Sequence, residues 1–452
     1  MRLVLILAGA TAMSVGTGLA QTTTSGEFST WDADIINIEA VSQNGSGVYV
    51  AVLDTGLVPN WRDYFRVERV ATRLGTGFDQ SVTFKAHNVN PCGFETTVGQ
   101  LRRTTWVGST GSTHGTHVTS TILGYNYRSN FDALAGFPLP PIFVKGIAQG
   151  ATVIPVKVLA DYQLPALPHC TNPGPIPAQN LVFGTDEMVA AWINYATDLA
   201  IAGYRPMVIN MSLGGDALAA VEKAAIDRAI ANGVIVVAAA GNEGEQGMSF
   251  PAAYPPVISA GSAGWTREWL LPGGGPRYRM WWLKYPFAPM LPGSGEVADP
   301  TVDGDVYVSD FSSRAKAGQQ LDVLAPGSWV RGPFPGDPGF AHLPWHSRGI
   351  GDLRSGVPNN FFYVGGTSMA TPHVASVAAL MLQKNPTLTQ AQVEGTLKAT
   401  ALALPSVGSR AIFDFDHPAT ITWDTDCGAG PGTCDAVGSG LIRADMAIAA
   451  TP

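Results

Sequence analysis

Residues 48–56 read VYVAVLDTG, an apolar run that ends in an acidic residue followed by Thr-Gly. A near-continuous apolar run of this length is typical of a strand that is covered on both faces, as in a parallel sheet. Further runs of the same kind follow along the 452-residue chain: TVIPVKVL (152–159), MVINMSL (207–213), GVIVVAAA (233–240), VISAGS (257–262) and LDVLAP (321–326). The sequence therefore predicts a sheet whose strands are buried.

Helical patterns lie between these apolar runs. The predicted helices cover residues 186–202, 217–231 and 367–384, and a further helix opens at a capping box formed by Thr389 and Gln392. Strands that alternate with helices predict an α/β fold, with a mostly parallel central sheet, right-handed crossovers and helices on both faces.

Composition limits the classes of partner. Hydrophobic residues make up 46% of the chain and charged residues 14%, which suits a sizeable core and is too little charge for a disordered chain. The formal net charge is −8, and no stripe of Lys or Arg is present. A nucleic-acid partner therefore has no electrostatic support.

The start of the chain has the pattern of a secretory signal peptide. Met1-Arg2 is basic and residues 3–13 are mostly apolar. Gly18-Leu19-Ala20 has the small residues of a signal-peptide cleavage site before Gln21. The apolar run is too short to span a bilayer, and no other run of about 20 apolar residues exists. We therefore predict no transmembrane segment and a secreted protein, either extracellular or periplasmic.

Four cysteines are an even count that fits disulfides in an exported chain. They allow three pairings. Cys427 and Cys434 flank a glycine-rich loop, DCGAGPGTCD, which favours a local bond between them and leaves Cys92 to pair with Cys170. Their spacing matches no common zinc-ligand pattern.

Three regions do not follow the alternation of strands and helices. Residues 125–145 and 160–185 are rich in proline and aromatic residues, and we expect surface loops there. Residues 264–308 form a tryptophan-rich insertion. Its tryptophans and basic residues are Trp265, Trp269, Trp281, Trp282, Arg267, Arg277, Arg279 and Lys284. These side chains could contact substrate, a partner or a lipid surface, but we favour an insertion that packs on its own domain.

Two segments contain a candidate nucleophile and a candidate base. Ser368 lies in FYVGGTSMATPHVA (362–375), where a strand-like run meets two glycines and a helix begins. A hydroxyl there lies at a helix N-terminus, which favours developing negative charge. His114 lies in STHGTHVTSTILG (112–124), three residues before His117. That spacing differs from the two-histidine zinc pattern, so we set zinc aside.

Two strand ends carry the remaining groups that peptide hydrolysis needs. Asp54 ends the first apolar run and could orient a histidine. Asn242, in VVAAAGNEG (236–244), could donate to an oxyanion, with the backbone N–H of Ser368 as a second donor. Ligands gather at the carboxyl ends of strands in open α/β sheets, so these positions suit catalysis.

Five segments, VAVLDTG, HGTHV, INMSLGG, AAAGNEG and GTSMATPHVA, occur in this order and together resemble the subtilisin family of serine peptidases. The resemblance covers about Thr30 to Ala450 and implies a three-layer subtilisin-like fold. It implies a triad of Asp54, His114 and Ser368. It also implies an oxyanion donor, substrate-pairing residues and pocket residues at Asn242, Ser212, Leu213, Gly214, Ala239, Ala240 and Gly241.

The resemblance implies a secreted serine endopeptidase that acts on proteins or peptides through an acyl-enzyme. A peptide ligase or cyclase and a catalytically silent binding protein remain alternatives on the same fold. No cofactor is needed for the chemistry, a structural calcium stays open, and we expect a monomer. We expect a signal peptide at residues 1–20, a short segment at 21–29 and one peptidase domain at 30–452 that carries the insertion at about 264–308.

Overall fold

The computed structural model of this chain describes residues 30–108, 112–127, 142–171, 174–268, 302–335, 349–351, 361–414 and 417–452. The α-helices are α1 (Trp31–Asp34), α2 (Thr113–Leu123), α3 (Asp186–Ile201), α4 (Ala220–Ala231), α5 (Thr367–Lys384), α6 (Gln390–Thr400) and α7 (Ala444–Ala450). The first strands are β1 (Tyr49–Asp54), β2 (Thr76–Ala86), β3 (Phe94–Thr104), β4 (Gly124–Tyr127), β5 (Ile142–Lys145), β6 (Thr152–Lys157), β7 (Ala160–Leu164), β8 (Gln179–Phe183), β9 (Met207–Met211) and β10 (Ile235–Ala239). The others are β11 (Ile258–Trp265), β12 (Val306–Val308), β13 (Ala315–Lys316), β14 (Val323–Pro326), β15 (Val330–Pro333), β16 (Gly349–Gly351), β17 (Phe361–Val364), β18 (Gly408–Asp414), β19 (His417–Trp423) and β20 (Cys434–Asp435).

The central sheet has the spatial order β12-β11-β10-β9-β1-β6-β2-β3, with β14 also paired to β11. The pairs β9–β1, β1–β6, β10–β9, β10–β11, β11–β14 and β2–β6 are parallel, whereas β11–β12 and β2–β3 are antiparallel. The predicted α/β fold with a mostly parallel sheet is confirmed, and each predicted apolar run overlaps one of these strands, although β11 continues to Trp265 beyond its run.

The order of the strands creates a switch point at β1. The chain places β6 on one side of β1, and then places β9, β10 and β11 on the other side. In doubly wound sheets a crevice forms outside the carboxyl ends of the strands at such a point. Asp54 ends β1, and Ser212 follows directly after β9, so both lie at this crevice.

Helices cover the sheet. Helix α5 packs against β9, β10, β11 and β14 and also against α2, while α3 and α4 pack on each other and on other parts of the sheet. Buried apolar side chains of the strands and helices form one main core. The predicted helices match α3, α5 and α6, and the capping box of Thr389 and Gln392 is present, but α4 starts three residues later than predicted.

Two of the expected loops are β-hairpins. Strands β4 and β5 pair within residues 125–145, and β7 pairs with β8 within residues 160–185. The aromatic residues that suggested loops instead pack together: Tyr162 stacks on Phe183 at 4.2 Å between ring centroids. Phe84 of β2 meets Phe183 from the side. The β2–β3 and β7–β8 hairpins thus share a small apolar cluster of their own.

The ends of the predicted tryptophan-rich insertion belong to the central sheet, so its expected boundaries were too wide. Strand β11 runs to Trp265, and β12 pairs with it from Val306. Trp265 is buried in the main core as part of β11, so the packing of the insertion itself stays a prediction. Trp269, Trp281, Trp282, Arg277, Arg279 and Lys284 lie outside the described residues.

Both disulfides have the favoured pairing. Cys92 bonds to Cys170 with a Cα–Cα distance of 4.5 Å, and Cys427 bonds to Cys434 with a Cα–Cα distance of 5.8 Å. The first bond ties the turn of the β2–β3 hairpin to the connection between β7 and β8. In the described ranges of the chain, we find no helix long and apolar enough to cross a bilayer.

Candidate active site

Asp54 and His114 form the most direct contact between predicted site residues. Asp54 is fully buried, and its Oδ1 lies 2.7 Å from His114 Nδ1. The same oxygen accepts the backbone N–H of Thr55 at 2.7 Å. A carboxylate held in this way fixes the orientation of the imidazole and leaves its Nε2 available on the opposite edge of the ring.

The electrostatic environment of His114 favours its protonated form. Burial by itself lowers the pKa of His114, but the charge of Asp54 and the hydrogen bond to it outweigh burial. The pKa of His114 is therefore raised above its ordinary value of 6.5. A histidine with a raised pKa binds a proton more strongly, which suits a base that must take one from a hydroxyl.

Small residues allow helix α2 to approach the end of β1. A Cβ on Gly115 would collide with the carbonyl oxygen of Gly56 and lie 3.1 Å from Asp54 Oδ1. The N–H of Gly115 donates to Thr55 Oγ1 at 2.9 Å, and Ser112 Oγ donates to the carbonyl of Thr55 at 2.8 Å. This local packing explains why a glycine follows the candidate base.

His117 has a structural position. It is fully buried, its Nε2 lies 3.1 Å from the carbonyl oxygen of Val330, and burial lowers the pKa of its imidazole to about 3. His117 is therefore neutral at ordinary pH. The structure brings His114, and not His117, to Asp54.

Ser368 lies in the first turn of α5. Its Oγ donates to the carbonyl oxygen of Ser212 at 3.2 Å. In return, Ser212 Oγ donates to the carbonyl oxygen of Ser368 at 2.8 Å. The predicted nucleophile and the predicted substrate-pairing segment are therefore in direct contact.

Asn242 faces the same helix terminus. Its Oδ1 accepts the backbone N–H of Thr367 at 2.8 Å and Thr367 Oγ1 at 3.1 Å, which turns its Nδ2 away from Thr367. A Cβ on Gly366 would lie 3.7 Å from the Ser368 N and 3.9 Å from Asn242 Nδ2. These two donors therefore border one space that Gly366 leaves open, and an oxyanion could occupy it.

Two glycines beside this space are closely packed against neighbouring side chains. A Cβ on Gly214 would lie 2.7 Å from the Cβ of Ser249, and a Cβ on Gly241 would meet Ser249 Oγ at 2.6 Å and Ser313 Oγ at 2.8 Å. The carboxylate of Glu243 also borders Gly241, where Ser249 Oγ and Ser313 Oγ donate to its Oε2 at 3.2 and 3.0 Å. A charged group thus lies directly beside Gly241.

The other predicted pocket and edge residues occupy consistent positions. Ala239 ends β10, and Ala240 follows it, both buried. Leu213 is half-buried against the main core. Throughout the described ranges, no three His, Cys, Asp or Glu side chains come together in a way that could hold a metal ion.

Several residues that support the site were not singled out in the sequence. Thr367 orients Asn242, and its position directly before Ser368 was the one available signal. Ser249 and Ser313 hold Glu243 but are separated by 64 positions in the chain, and nothing in the local sequence connects them. Such contacts depend on the folded chain.

Comparisons with known proteins agree with this geometry. The model of the Subtilase family matches residues 45–432. Subtilisin E of Bacillus subtilis (strain 168) is 30% identical over 364 residues, which cover 80% of this chain and 62% of that protein. The subtilisin of Bacillus pumilus is 29% identical over 366 residues, which cover 80% of this chain and 86% of that protein. The chain thus spans less than two thirds of the length of subtilisin E.

Among solved structures, sphericase superposes with a TM-score of 0.53 at 23% sequence identity, covering 92% of this chain and 97% of that chain. This likeness supports the three-layer fold. The family match covers most of the chain and includes all five motifs. The resemblance inferred from those motifs is confirmed, and the chain belongs to the subtilase family.

Proposed function

We propose that this protein is a secreted serine endopeptidase that hydrolyses peptide bonds in protein substrates. The observation that carries the proposal is the 2.7 Å contact between the buried Asp54 carboxylate and His114 Nδ1. In the mechanism of a serine peptidase, a carboxylate bonded to Nδ1 orients the imidazole so that Nε2 can take a proton. Family membership supports the same reaction class.

In this proposal Ser368 is the nucleophile and His114 the base. Ser368 Oγ attacks the carbonyl carbon of the substrate while His114 Nε2 takes the hydroxyl proton. The imidazolium, stabilised by Asp54, then gives that proton to the leaving amine, and an acyl-enzyme on Ser368 remains. Water, deprotonated by His114, hydrolyses the ester and restores the free serine.

The developing oxyanion is stabilised by Asn242 Nδ2 and the backbone N–H of Ser368. Their common border at Gly366 supports this role. Thr367 fixes the amide of Asn242 before the substrate arrives, so little reorganisation is needed.

The substrate backbone extends along Ser212, Leu213 and Gly214. Pairing of main-chain groups provides affinity, and side-chain pockets provide preference. The side chain before the cleaved bond enters the pocket beside Ala239, Ala240 and Gly241, where Glu243 adds a negative charge. We also propose that the chain acts as a monomer after removal of residues 1–20.

Hydrolysis of casein and of a fluorogenic peptide tests the proposal. We expect Ser368→Ala to lower kcat at least about a thousand-fold. Ser376→Ala is a matched control because Ser376 is a buried serine of the same helix whose Oγ has no partner among the described residues. Unchanged hydrolysis in Ser368→Ala, or no hydrolysis by the folded native protein, would contradict the proposal.

Mass analysis of the products separates the alternatives. An endopeptidase adds one water to each cleaved bond, whereas a ligase or cyclase joins the acyl group to an amine without net addition of water. A catalytically silent binding protein would bind peptide and release it unchanged. All four predicted catalytic groups are present in the chain, which counts against the silent binding protein.

A further inference from the structure

Proline 372 leaves one carbonyl of the nucleophile helix without its usual partner. In an α-helix the carbonyl of residue i accepts the N–H of residue i+4, and proline has no N–H. Pro372 lies four residues after Ser368 within α5. The carbonyl of Ser368 must therefore find a donor outside the helix.

Ser212 supplies that donor. Its Oγ lies 2.8 Å from the Ser368 carbonyl oxygen, within the usual range for such a bond, and Ser212 is almost completely buried. Asn210, fully buried in β9, donates from its Nδ2 to Ser212 Oγ at 3.1 Å. Because Asn210 donates to this oxygen, the hydroxyl hydrogen of Ser212 is directed to Ser368.

The second contact of Ser212 is weaker. The Ser368 hydroxyl donates to the carbonyl oxygen of Ser212 at 3.2 Å, longer than the range of about 2.5–3.0 Å that is usual between two oxygens. Ser212 thus holds the backbone of Ser368 firmly and its side-chain hydroxyl loosely. In the proposed mechanism, this loosely held hydroxyl is the group that gives its proton to His114.

The same carbonyl belongs to the proposed substrate-pairing segment. Among the described residues, Ser212, Leu213 and Gly214 make no backbone-to-backbone hydrogen bond with a neighbouring strand. In a substrate, the N–H of the residue that carries the cleaved carbonyl lies about 2.5 Å from the carbonyl carbon. When that carbon meets Ser368 Oγ, this N–H is within reach of the Ser212 carbonyl.

We propose that Ser212 is a positioning residue that holds Ser368 in a resting orientation until substrate arrives. The substrate N–H then takes the Ser212 carbonyl, and the Ser368 hydroxyl turns to donate to His114 Nε2. Meanwhile the Ser212 hydroxyl keeps the backbone of Ser368 in place. This inference rests on the proposed peptidase function, and it concerns how the Ser368 hydroxyl is turned towards His114.

The role of the Ser212 hydroxyl in holding the backbone of Ser368 is tested with Ser212→Ala and with the double variant Ser212→Ala/Pro372→Ala. We expect Ser212→Ala to lower kcat about ten-fold with KM changed by less than about two-fold. In the double variant residue 372 again has an N–H for the Ser368 carbonyl, so part of the lost kcat should return. An unchanged kcat in Ser212→Ala, or a loss that Pro372→Ala does not reverse, would overturn this assignment.

The proposed exchange at the Ser212 carbonyl, where the substrate N–H replaces the Ser368 hydroxyl, is tested with two substrate analogues. In the first, an ester oxygen replaces the N–H of the residue that carries the cleaved carbonyl. In the second, the same replacement is made one residue earlier, where the N–H of an extended chain points to the opposite edge. We expect the first analogue to acylate Ser368 at least about ten-fold more slowly at saturation, and the second to match the parent peptide.

These outcomes separate the inference from the function on which it rests. If the parent peptide is not cleaved, the proposed function fails. If the parent peptide is cleaved and the first analogue changes only KM, the Ser212 carbonyl only binds substrate. The proposed release of the Ser368 hydroxyl by substrate is then wrong. Product masses identify the bond that was cleaved in each analogue.

Discussion

Glu243 gives the pocket beside Gly241 a carboxylate that is exposed and hydrogen-bonded to two serines. A negative charge in a pocket wall favours a basic side chain over an apolar one. We expect Glu243→Gln to lower kcat/KM for a peptide with Lys before the cleaved bond about five-fold, and to leave the matching Phe peptide within about two-fold.

The measurement is kcat/KM for both peptides at low and at high salt. Exposed charges are screened by salt, so the preference for Lys in the native protein should weaken as salt rises. Equal losses for Lys and Phe peptides would place Glu243 in a structural role instead.

If His114 is the base, as proposed, it sets the acid limb of the pH profile. The base works only when neutral, and its pKa is raised above 6.5, so activity should fall as pH drops through a value above 6.5. In Asp54→Asn the causes that raise this pKa are removed, so the limb should move to lower pH while kcat falls about 10⁴-fold.

The same shift contributes to stability with a defined sign. A pKa raised in the folded state adds stability that is fully present below about pH 6.5 and is lost as pH rises through the folded-state pKa. The profile of kcat/KM against pH, measured for the native protein and for Asp54→Asn, tests the predicted shift of the acid limb. A limb that does not move in Asp54→Asn would contradict the assigned pairing.

At this scale the sequence predicted the groups but not their supports. Asp54, Asn242 and Ser368 follow from strand ends and a helix start, which are local patterns. The choice between His114 and His117 required a resemblance, because either could be a core histidine. Ser249 and Ser313 meet at Glu243 only after folding, and a local pattern contains no information about such contacts.

Helix α1 is tied to the nucleophile helix by one buried pair. His373 Nε2 lies 3.1 Å from Asp32 Oδ2, and its Nδ1 lies 2.8 Å from the carbonyl oxygen of Met369. Asp32→Ala leaves a buried ring nitrogen without this partner, which should lower the free energy of unfolding by about 2 kcal/mol.

Urea unfolding in a Ser368→Ala background, which we expect to prevent self-digestion, measures this loss. Glu68→Ala removes an exposed carboxylate and should leave stability within about 0.5 kcal/mol. If both variants unfold at the same urea concentration as the parent, the pair does not stabilise α5.

The two disulfides close loops of very different length, with sequence separations of 78 and 7 residues. Loop-closure entropy gives about 4 kcal/mol for the long loop and about 2 kcal/mol for the short one. We therefore expect Cys92→Ser/Cys170→Ser to destabilise more than Cys427→Ser/Cys434→Ser.

Thermal unfolding of both double variants, again in the Ser368→Ala background, ranks them. A greater loss from the short loop would show that native contacts, and not chain entropy, dominate the effect. The Phe84, Phe183 and Tyr162 cluster would then have to hold the two hairpins without the bond.

Buried strands were the most predictable elements because both of their faces require apolar residues, and each predicted run overlaps an observed strand. The hairpins β4–β5 and β7–β8 were predicted as loops. Their segments include several prolines, and their short strands form two-stranded sheets outside the central sheet, so no long apolar run marks them. The sequence also could not show that β11 continues to Trp265.

The topology of the whole chain brings groups from distant segments to one edge of the sheet. Asp54, Ser212 and Asn242 follow β1, β9 and β10, which are neighbours in space. The alternation of strands and helices was enough to predict this edge, because parallel strands with right-handed crossovers share their carboxyl ends.

Export is a property of the whole chain, and it sets the N-terminus. We expect the exported protein to begin at Gln21, as determined by N-terminal sequencing and intact mass. Leu5→Arg interrupts the apolar part of the proposed signal and should keep the protein inside the cell. Export of the unprocessed chain, or no effect of Leu5→Arg, would contradict the predicted signal.

Strand β3 forms the outer edge of the sheet, and its register against β2 shifts between Gln80 and Val82. The Gln80 side chain donates to the carbonyl of Gly99 within this irregular stretch. A regular, open edge would accept extended chains as readily as the segment at Ser212 does. For a protein proposed to act on unfolded polypeptides, such an edge would bind extended chains at a place where no reaction occurs. The bulge at Gly99 disfavours that competition and leaves the crevice as the place where a strand can dock.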